Sequence, residues 1–323
     1  MFINGVFEGG GVKGISLAGA VRAAETSGVK FHRVAGTSSG SIVAALIAAG
    51  YTSEEMKEII TEMPFMSLLQ RAPIFNIGII GPVLRVLLKK GLYSGEALEE
   101  WVRTILLRKK VRTFGDLPKG KLLIIASDIS NGKILVLPDD LERFGIKPES
   151  FEVAKAIRMS CSIPYFFDPV RLRLSVDKGK GKPFAEQFVY IVDGGMLSNF
   201  PLWLFDKEKN RDTGEIIPTV GFQMVGKNGN KPHKINGPFS MLQAMVETML
   251  SAHDERYIEQ HNRYRTIKIP TLGIGTTQFH ITLEESLLLY DSGVQAGQRF
   301  FKRWDRKMYE DQFHKFQDKT YKI

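Results

Sequence analysis

The sequence predicts an α/β fold with a mostly parallel β-sheet, and three observations lead there. Short apolar strand-like runs alternate with helical stretches along the whole chain, without a repeat or a clear linker. Two strand-to-helix junctions are glycine-rich, at residues 9–14 and 36–40. The composition, 43% apolar and 24% charged, is that of an ordinary globular protein, and no apolar run approaches the roughly 18 residues of a membrane span. One domain over residues 1–323 is the expectation.

Taken in order, residues 2–8 read as a first strand that ends in Glu8-Gly9-Gly10-Gly11-Val12-Lys13-Gly14. A helix follows from Ile15 to about Thr26, stopped by Gly28. The second strand, Phe31 to Ala35, runs into Gly36-Thr37-Ser38-Ser39-Gly40 and then a small-residue helix that Gly50 ends. Thr52 and Glu55 make a capping box for a helix that Pro64 terminates. Residues 64–93 are apolar but broken by Pro64, Pro73 and Pro82, and they carry Arg71, Arg85, Lys89 and Lys90. Two arrangements fit that stretch: side chains filling the core, or a lid and membrane-facing wall.

Ser94 to Ala97 caps a helix with Leu98, Trp101, Val102, Ile105 and Leu106 at helical spacing. Lys121–Ala126 and Lys133–Leu137 are expected strands of a hairpin turning at Asn131-Gly132. Phe151–Met159 reads as a helix, and Ile163-Pro164 closes that unit. Val170–Val176 and Phe188–Val192 read as strands around a Lys/Gly loop, the second ending in Asp193-Gly194-Gly195. A strand from Pro218 to Val225, a long helix from about Phe239 to Gln260, a strand at Arg265–Ile269 and a helix at Leu283–Trp304 complete the chain.

Net charge is +9, much of it at 297–322, where Lys and Arg alternate with Phe, Tyr and Trp. That interleaving suits an anionic surface, or equally a helix with aromatics inward and lysines in water; we read it as the second. No nucleic-acid motif is present, and no nucleic-acid partner is expected. The single cysteine, Cys161, excludes an internal disulfide and a multi-cysteine metal site. The N-terminus lacks the basic start and apolar core of a signal peptide, so a cytoplasmic location is expected.

Gly9 to Gly14 matches G-x-G-x-x-G after a strand and before a helix, which raises a dinucleotide site. Such a site needs an acidic residue about 20 positions on, at the end of the second strand. No Asp or Glu occurs between Glu25 and Glu54, so that reading fails. A phosphate-binding P-loop needs Lys-Ser or Lys-Thr at its last glycine, whereas Gly14 is followed by Ile15 and Ser16. Gly36-x-Ser38-x-Gly40 is the pattern of a nucleophile elbow, with Ser38 at the start of a helix whose positive end favours developing negative charge. The exposed backbone N–H groups of Gly9, Gly10 and Gly11 suit an oxyanion hole, and parallel neighbouring strands would bring them to the edge where Ser38 lies.

A serine nucleophile needs a base. Of the six histidines only His280, in a loop, is a candidate for a triad. Asp193 is the stronger choice, at the end of an apolar strand and followed by two glycines; partial desolvation would raise its basicity. Taken together, Glu8-Gly9-Gly10-Gly11-Val12-Lys13-Gly14, Gly36-Thr37-Ser38-Ser39-Gly40 and Asp193-Gly194-Gly195 resemble the three motifs of patatin-like phospholipases. Arg158-Met159-Ser160-Cys161-Ser162-Ile163-Pro164 resembles the family's small-residue segment ending in proline, and the likeness covers roughly residues 3–200.

The resemblance implies a patatin-like three-layer fold and an acyl hydrolase acting on lipid esters, of phospholipase A or lysophospholipase type. It implies a Ser38–Asp193 dyad without histidine, an oxyanion hole from Gly9, Gly10 and Gly11, and substrate contacts at Lys13, Gly194 and Gly195. Lys13 stands where the family often has arginine, and the two present their donors differently. No metal or other cofactor is implied. The partners expected are a lipid or phospholipid substrate and transient contact with a membrane surface. A soluble carboxylesterase or thioesterase, and a non-catalytic lipid-binding protein, are the alternatives.

Overall fold

The structure, a computed structural model, describes residues 1–61, 63, 65–69, 80–206, 214, 216–226, 235–237, 241, 244–245, 248 and 262–320. Strand β1 (Phe2–Phe7) lies between β2 (Lys30–Thr37) and β9 (Thr219–Val225), parallel to both. Strand β4 (Leu122–Asp128) adds to β2, and β10 (Thr266–Pro270) to β9, again in parallel. Five parallel strands thus form the centre of an eight-stranded sheet of order β10-β9-β1-β2-β4-β8-β7, with β5 (Lys133–Leu137) paired to β4. The remaining two, β7 (Val170–Arg173) and β8 (Phe188–Asp193), are an antiparallel pair.

All but the first residue of β1 is buried, because both faces of the sheet are covered. Ile3 and Phe7 point into the larger core, together with α1 (Ile15–Thr26), α2 (Ser39–Ala48) and α3 (Ser53–Thr61). Val6, Ala35 and Leu123 point the other way, onto Phe200, Leu202 and Phe205. That period-two division makes three layers. The larger core also takes α5 (Glu96–Arg108), α6 (Val153–Ser160) and α7 (Leu283–Phe301).

The Thr52–Glu55 capping box is present: the Thr52 N–H donates to Glu55 Oε2 at 2.8 Å and the Glu55 N–H to Thr52 Oγ1 at 3.3 Å. Near Val176 the sequence expectation is corrected. The strand ends at Arg173, and Val176–Gly179 is one helical turn with Val176 exposed. Two three-residue strands, β3 (Gly91–Tyr93) and β6 (Tyr165–Phe167), form a separate parallel pair that no periodicity announces. In α8 (Arg306–Thr320) Tyr309 and Phe313 are buried while Lys307, His314 and Lys315 are exposed. Tyr309 and Phe313 therefore face the protein, as expected. Most of the helix expected at 239–260 lies outside the described residues.

Stretch 64–93 divides. Leu68 is buried, whereas α4 (Ile80–Lys89) exposes Leu84, Leu87 and Leu88. Residues 70–79, with Arg71, Pro73 and Ile79, lie outside the described residues.

Candidate active site

Three strand ends converge on Ser38. Residues Ile124 and Ile125 of β4 pair with β2 on one edge and β5 on the other. Residues 126–128 pair with β5 and with β8, so β8 occupies the same edge of β4 as β2. Thr37 sits opposite Ile125, and Asp193 opposite Ala126. Strands β2 and β8 therefore run head-on along one edge and meet end to end, which delivers Ser38 and Asp193 to one point. An antiparallel β8 is what this requires; a parallel one would carry Asp193 away. Beside β2, β1 delivers the glycine turn to the same end of the sheet.

The elbow is tight. Ser38 has φ 51° and ψ −128°, a left-handed backbone that side-chain-bearing residues rarely adopt. A Cβ at Gly36 would collide with the Gly40 carbonyl, and one at Gly40 with the Phe7 carbonyl. Only glycine permits both approaches, which is the physical content of the G-x-S-x-G spacing.

Asp193 is 1% exposed. Its Oδ1 accepts the Gly195 N–H at 2.8 Å, and its own N–H donates to the Ser162 carbonyl at 2.9 Å. Its Oδ2 is buried and completes no hydrogen bond. Burial pushes the Asp193 carboxyl up to about 6, against the Gly195 N–H and the nearby Ser38 hydroxyl, which both lower it. The Ser38 hydroxyl thus influences the carboxylate while the bond to Oδ2 stays incomplete. Hydroxyl–base bonds of this kind often tighten only when substrate binds. Buried Cys161 lies close by, its thiol pushed up to about 12 by burial and by Asp193, so it is neutral.

The predicted oxyanion donors are not equivalent. The Gly9 N–H is spent on the Asn199 carbonyl at 3.2 Å, and the Gly10 N–H on Ser39 Oγ at 3.1 Å. The Gly11 N–H has no acceptor among the described residues, and Gly11 lines the cleft beside Ser38. Gly11 has φ +57°, and a Cβ there would strike the Thr276 carbonyl. Gly194 and Gly195 sit behind Asp193 and do not line the cleft; a Cβ at Gly194 would meet the Ile125 carbonyl. Lys13 is half-buried on the glycine turn and does not line the cleft either.

Beyond Ser38, Ser39 and the glycine turn, the cleft wall is apolar, with Ile42, Met63, Leu68, Leu98, Ile163 and Phe279 among its side chains. Sequence reasoning missed Phe279 and Asn199. Phe279 stacks on Phe166, 5.0 Å between ring centroids, in a segment without a motif. Exposed His280 follows it and forms no hydrogen bond with Ser38 or Asp193. His32 lies in β2 at the end away from Ser38, His314 is exposed on α8, and His233, His253 and His261 lie outside the described residues.

Residues 5–206 match the family described as "Patatin-like phospholipase". The chain is 44% identical over 306 residues to the uncharacterized protein YqhO of Bacillus subtilis (strain 168), covering 94% of this chain and 99% of that protein. It is 26% identical over 228 residues to "Probable lipid hydrolase 463L" of Invertebrate iridescent virus 6, covering 67% and 68%. Among solved structures, VipD from Legionella pneumophila superposes with a TM-score of 0.54 at 16% identity, over 94% of this chain and 67% of that one. That likeness shows the fold. With a family match over most of the chain and all three motifs at one sheet edge, the chain belongs to the patatin-like phospholipase family.

Proposed function

We propose that this protein hydrolyses fatty-acyl esters of phospholipids or lysophospholipids through a Ser38–Asp193 dyad. Family membership supplies the reaction class, a serine-dependent lipid acyl hydrolase. The observation that carries the residue assignment is the buried Asp193 carboxylate, its Oδ2 unpartnered, beside a strained serine in an apolar cleft. Ser38 Oγ attacks the ester carbonyl carbon while its proton passes to Asp193 Oδ2. The carbonyl oxygen becomes an oxyanion, held by the Gly11 N–H and by the Gly10 N–H once the Ser39 hydroxyl rotates aside. Gly9, bonded to a main-chain carbonyl, takes no part.

Collapse of this intermediate expels the alcohol, which takes the proton from Asp193, and leaves the acyl group on Ser38. A water then gives its proton to Asp193 and attacks the acyl carbon. The fatty acid leaves, and the proton returns to Ser38. The apolar wall takes the acyl chain, which favours a lipid over a small soluble ester.

The whole chain acts as one catalytic unit, peripheral to a membrane on its cytoplasmic side. No helix among the described residues is long and apolar enough to cross one. Lipid mass spectrometry after incubation with mixed vesicles tests the proposal. Wild type releases fatty acid; Ser38→Ala does not, and it also loses fluorophosphonate labelling while its fold is kept. Wild-type hydrolysis by purified Ser38→Ala would end the proposal, and a His280→Ala variant as inactive as Ser38→Ala would replace the dyad by a triad.

A further inference from the structure

The segment Arg158 to Pro164 supplies no reacting group to the chemistry above, yet it touches both members of the dyad. The Ser38 N–H donates to Ser160 Oγ at 2.8 Å, and the Ser160 hydroxyl donates in turn to the Ile125 carbonyl at 2.5 Å. Two residues on, the Ser162 carbonyl accepts the Asp193 N–H at 2.9 Å. Ser160 is wholly buried and Ser38 is 6% exposed, so water cannot substitute for either bond. Arg158, 4% exposed, holds the turn in place by donating to Ser162 Oγ and, at 2.7 Å, to the Asp168 carbonyl.

We infer that Ser160 is a positioning residue that holds Ser38 in its left-handed backbone. Two observations support it. Ser38 occupies a conformation that relaxes unless its surroundings hold it, and its N–H is gripped by one side chain. The position also needs an atom that accepts from an N–H and donates to a C=O at once, which a hydroxyl does and a methyl does not. Ile125 lies opposite Thr37, where β2 stops, and Ala126 lies opposite Asp193, where β8 stops. Ser160 therefore fastens the elbow to the β4 residue next to the base's own partner. Its loss lets Ser38 Oγ drift from Asp193 Oδ2 without altering the apolar wall of the cleft.

This rests on reading Ser38 as the nucleophile, and the test separates the two. Turnover of a monomeric short-chain ester is measured for Ser160→Ala, Ser160→Cys and Leu141→Ala. The last removes buried volume in the turn after β5, away from the cleft. Ser160→Ala is expected to lower kcat by roughly 10- to 100-fold, the scale of an ångström-level misplacement, with KM within about twofold and the pH midpoint unmoved. Ser160→Cys, close in size but a weaker acceptor, folds and gives an intermediate kcat; it decides the matter if the alanine variant does not fold. Leu141→Ala loses melting temperature but keeps kcat. Wild-type kcat in either Ser160 variant, a loss confined to KM, or an equal kcat loss in Leu141→Ala overturns the inference. Ser38→Ala in the same assay reports on the dyad independently: inactive Ser38→Ala beside fully active Ser160→Ala would remove the positioning role and leave the nucleophile standing.

Discussion

In the proposed dyad Asp193 must be a base strong enough to take a proton from serine, yet the sequence offers only a carboxylate of ordinary pKa near 3.9. Burial supplies the difference, pushing the group up to about 6. Activity should therefore rise with pH through a midpoint near 6, as Asp193 loses its proton and becomes able to act. The same shift sets the sign of a stability effect. Between about 4 and about 6 the folded state keeps the proton while the unfolded chain has released it. Stability thus falls as pH rises through that window, by roughly 3 kcal/mol in all, and stays level above it. Asp193→Asn keeps the acceptor for the Gly195 N–H without a buried charge. It should lower kcat by about 10²–10⁴ and, at pH 8, unfold in urea with a midpoint above that of wild type. A midpoint below wild type at pH 8, or a pH–rate profile flat between 5 and 7, would contradict this account of Asp193.

Helix α4 inverts the usual arrangement of a surface helix. Leu84, Leu87 and Leu88, spaced i, i+3 and i+4, share one face and are 47%, 73% and 60% exposed. Arg85 is 3% exposed and grips both carboxylate oxygens of Asp168, at 2.7 and 2.9 Å. Leucines outward and arginine inward is costly in water and economical at a lipid surface. Exposed Lys89 and Lys90 stand at the same end of the helix, matched to anionic head groups. Strand β3 follows directly and pairs with β6, whose Phe167 lines the cleft, so the face is joined to the cleft through two short strands. Leu84→Ser, Leu87→Ser and Leu88→Ser combined should weaken binding to anionic vesicles by at least about tenfold, given 1.5–3 kcal/mol per buried leucine. Melting temperature and turnover of a soluble ester should change little, since none of these side chains belongs to the buried core among the described residues. Vesicle flotation at wild-type strength would exclude α4 as the docking face; a collapsed melting temperature would return these leucines to the core.

What was legible in the chain is what sits in short, glycine-marked motifs. The strand–turn–helix units around Gly9 to Gly14 and Ser38 announce themselves, because sharp reversals and close backbone approaches demand glycine. The end-to-end meeting of β2 and β8 was not legible, since strand direction is set by long-range pairing and leaves no local signature. Nor could a motif show that Gly9 and Gly10 would spend their N–H groups on Asn199 and Ser39. The same limit applies to the extent of the working unit. The motifs and the family match end by residue 206, but the sheet does not. Strand β9 pairs with β1 from Asn4 to Phe7, the Met224 N–H donates to Glu8, and the Val12 N–H donates to the Thr276 carbonyl. Helix α7 packs on α1 so closely that a Cβ on Gly19 would strike the Tyr290 carbonyl and one on Gly293 the Ser16 carbonyl. The glycine turn is thus held from one side by residues that carry no recognisable motif. A chain cut after residue 206 should expose the β1 edge and the buried face of α1, lose cooperative unfolding and fail to label with fluorophosphonate. Gly293→Val in the full chain should act in the same direction, lowering melting temperature and Ser38 labelling together. A truncated chain that unfolded cooperatively and labelled at the wild-type rate would show that β9, β10 and α7 are dispensable to the site.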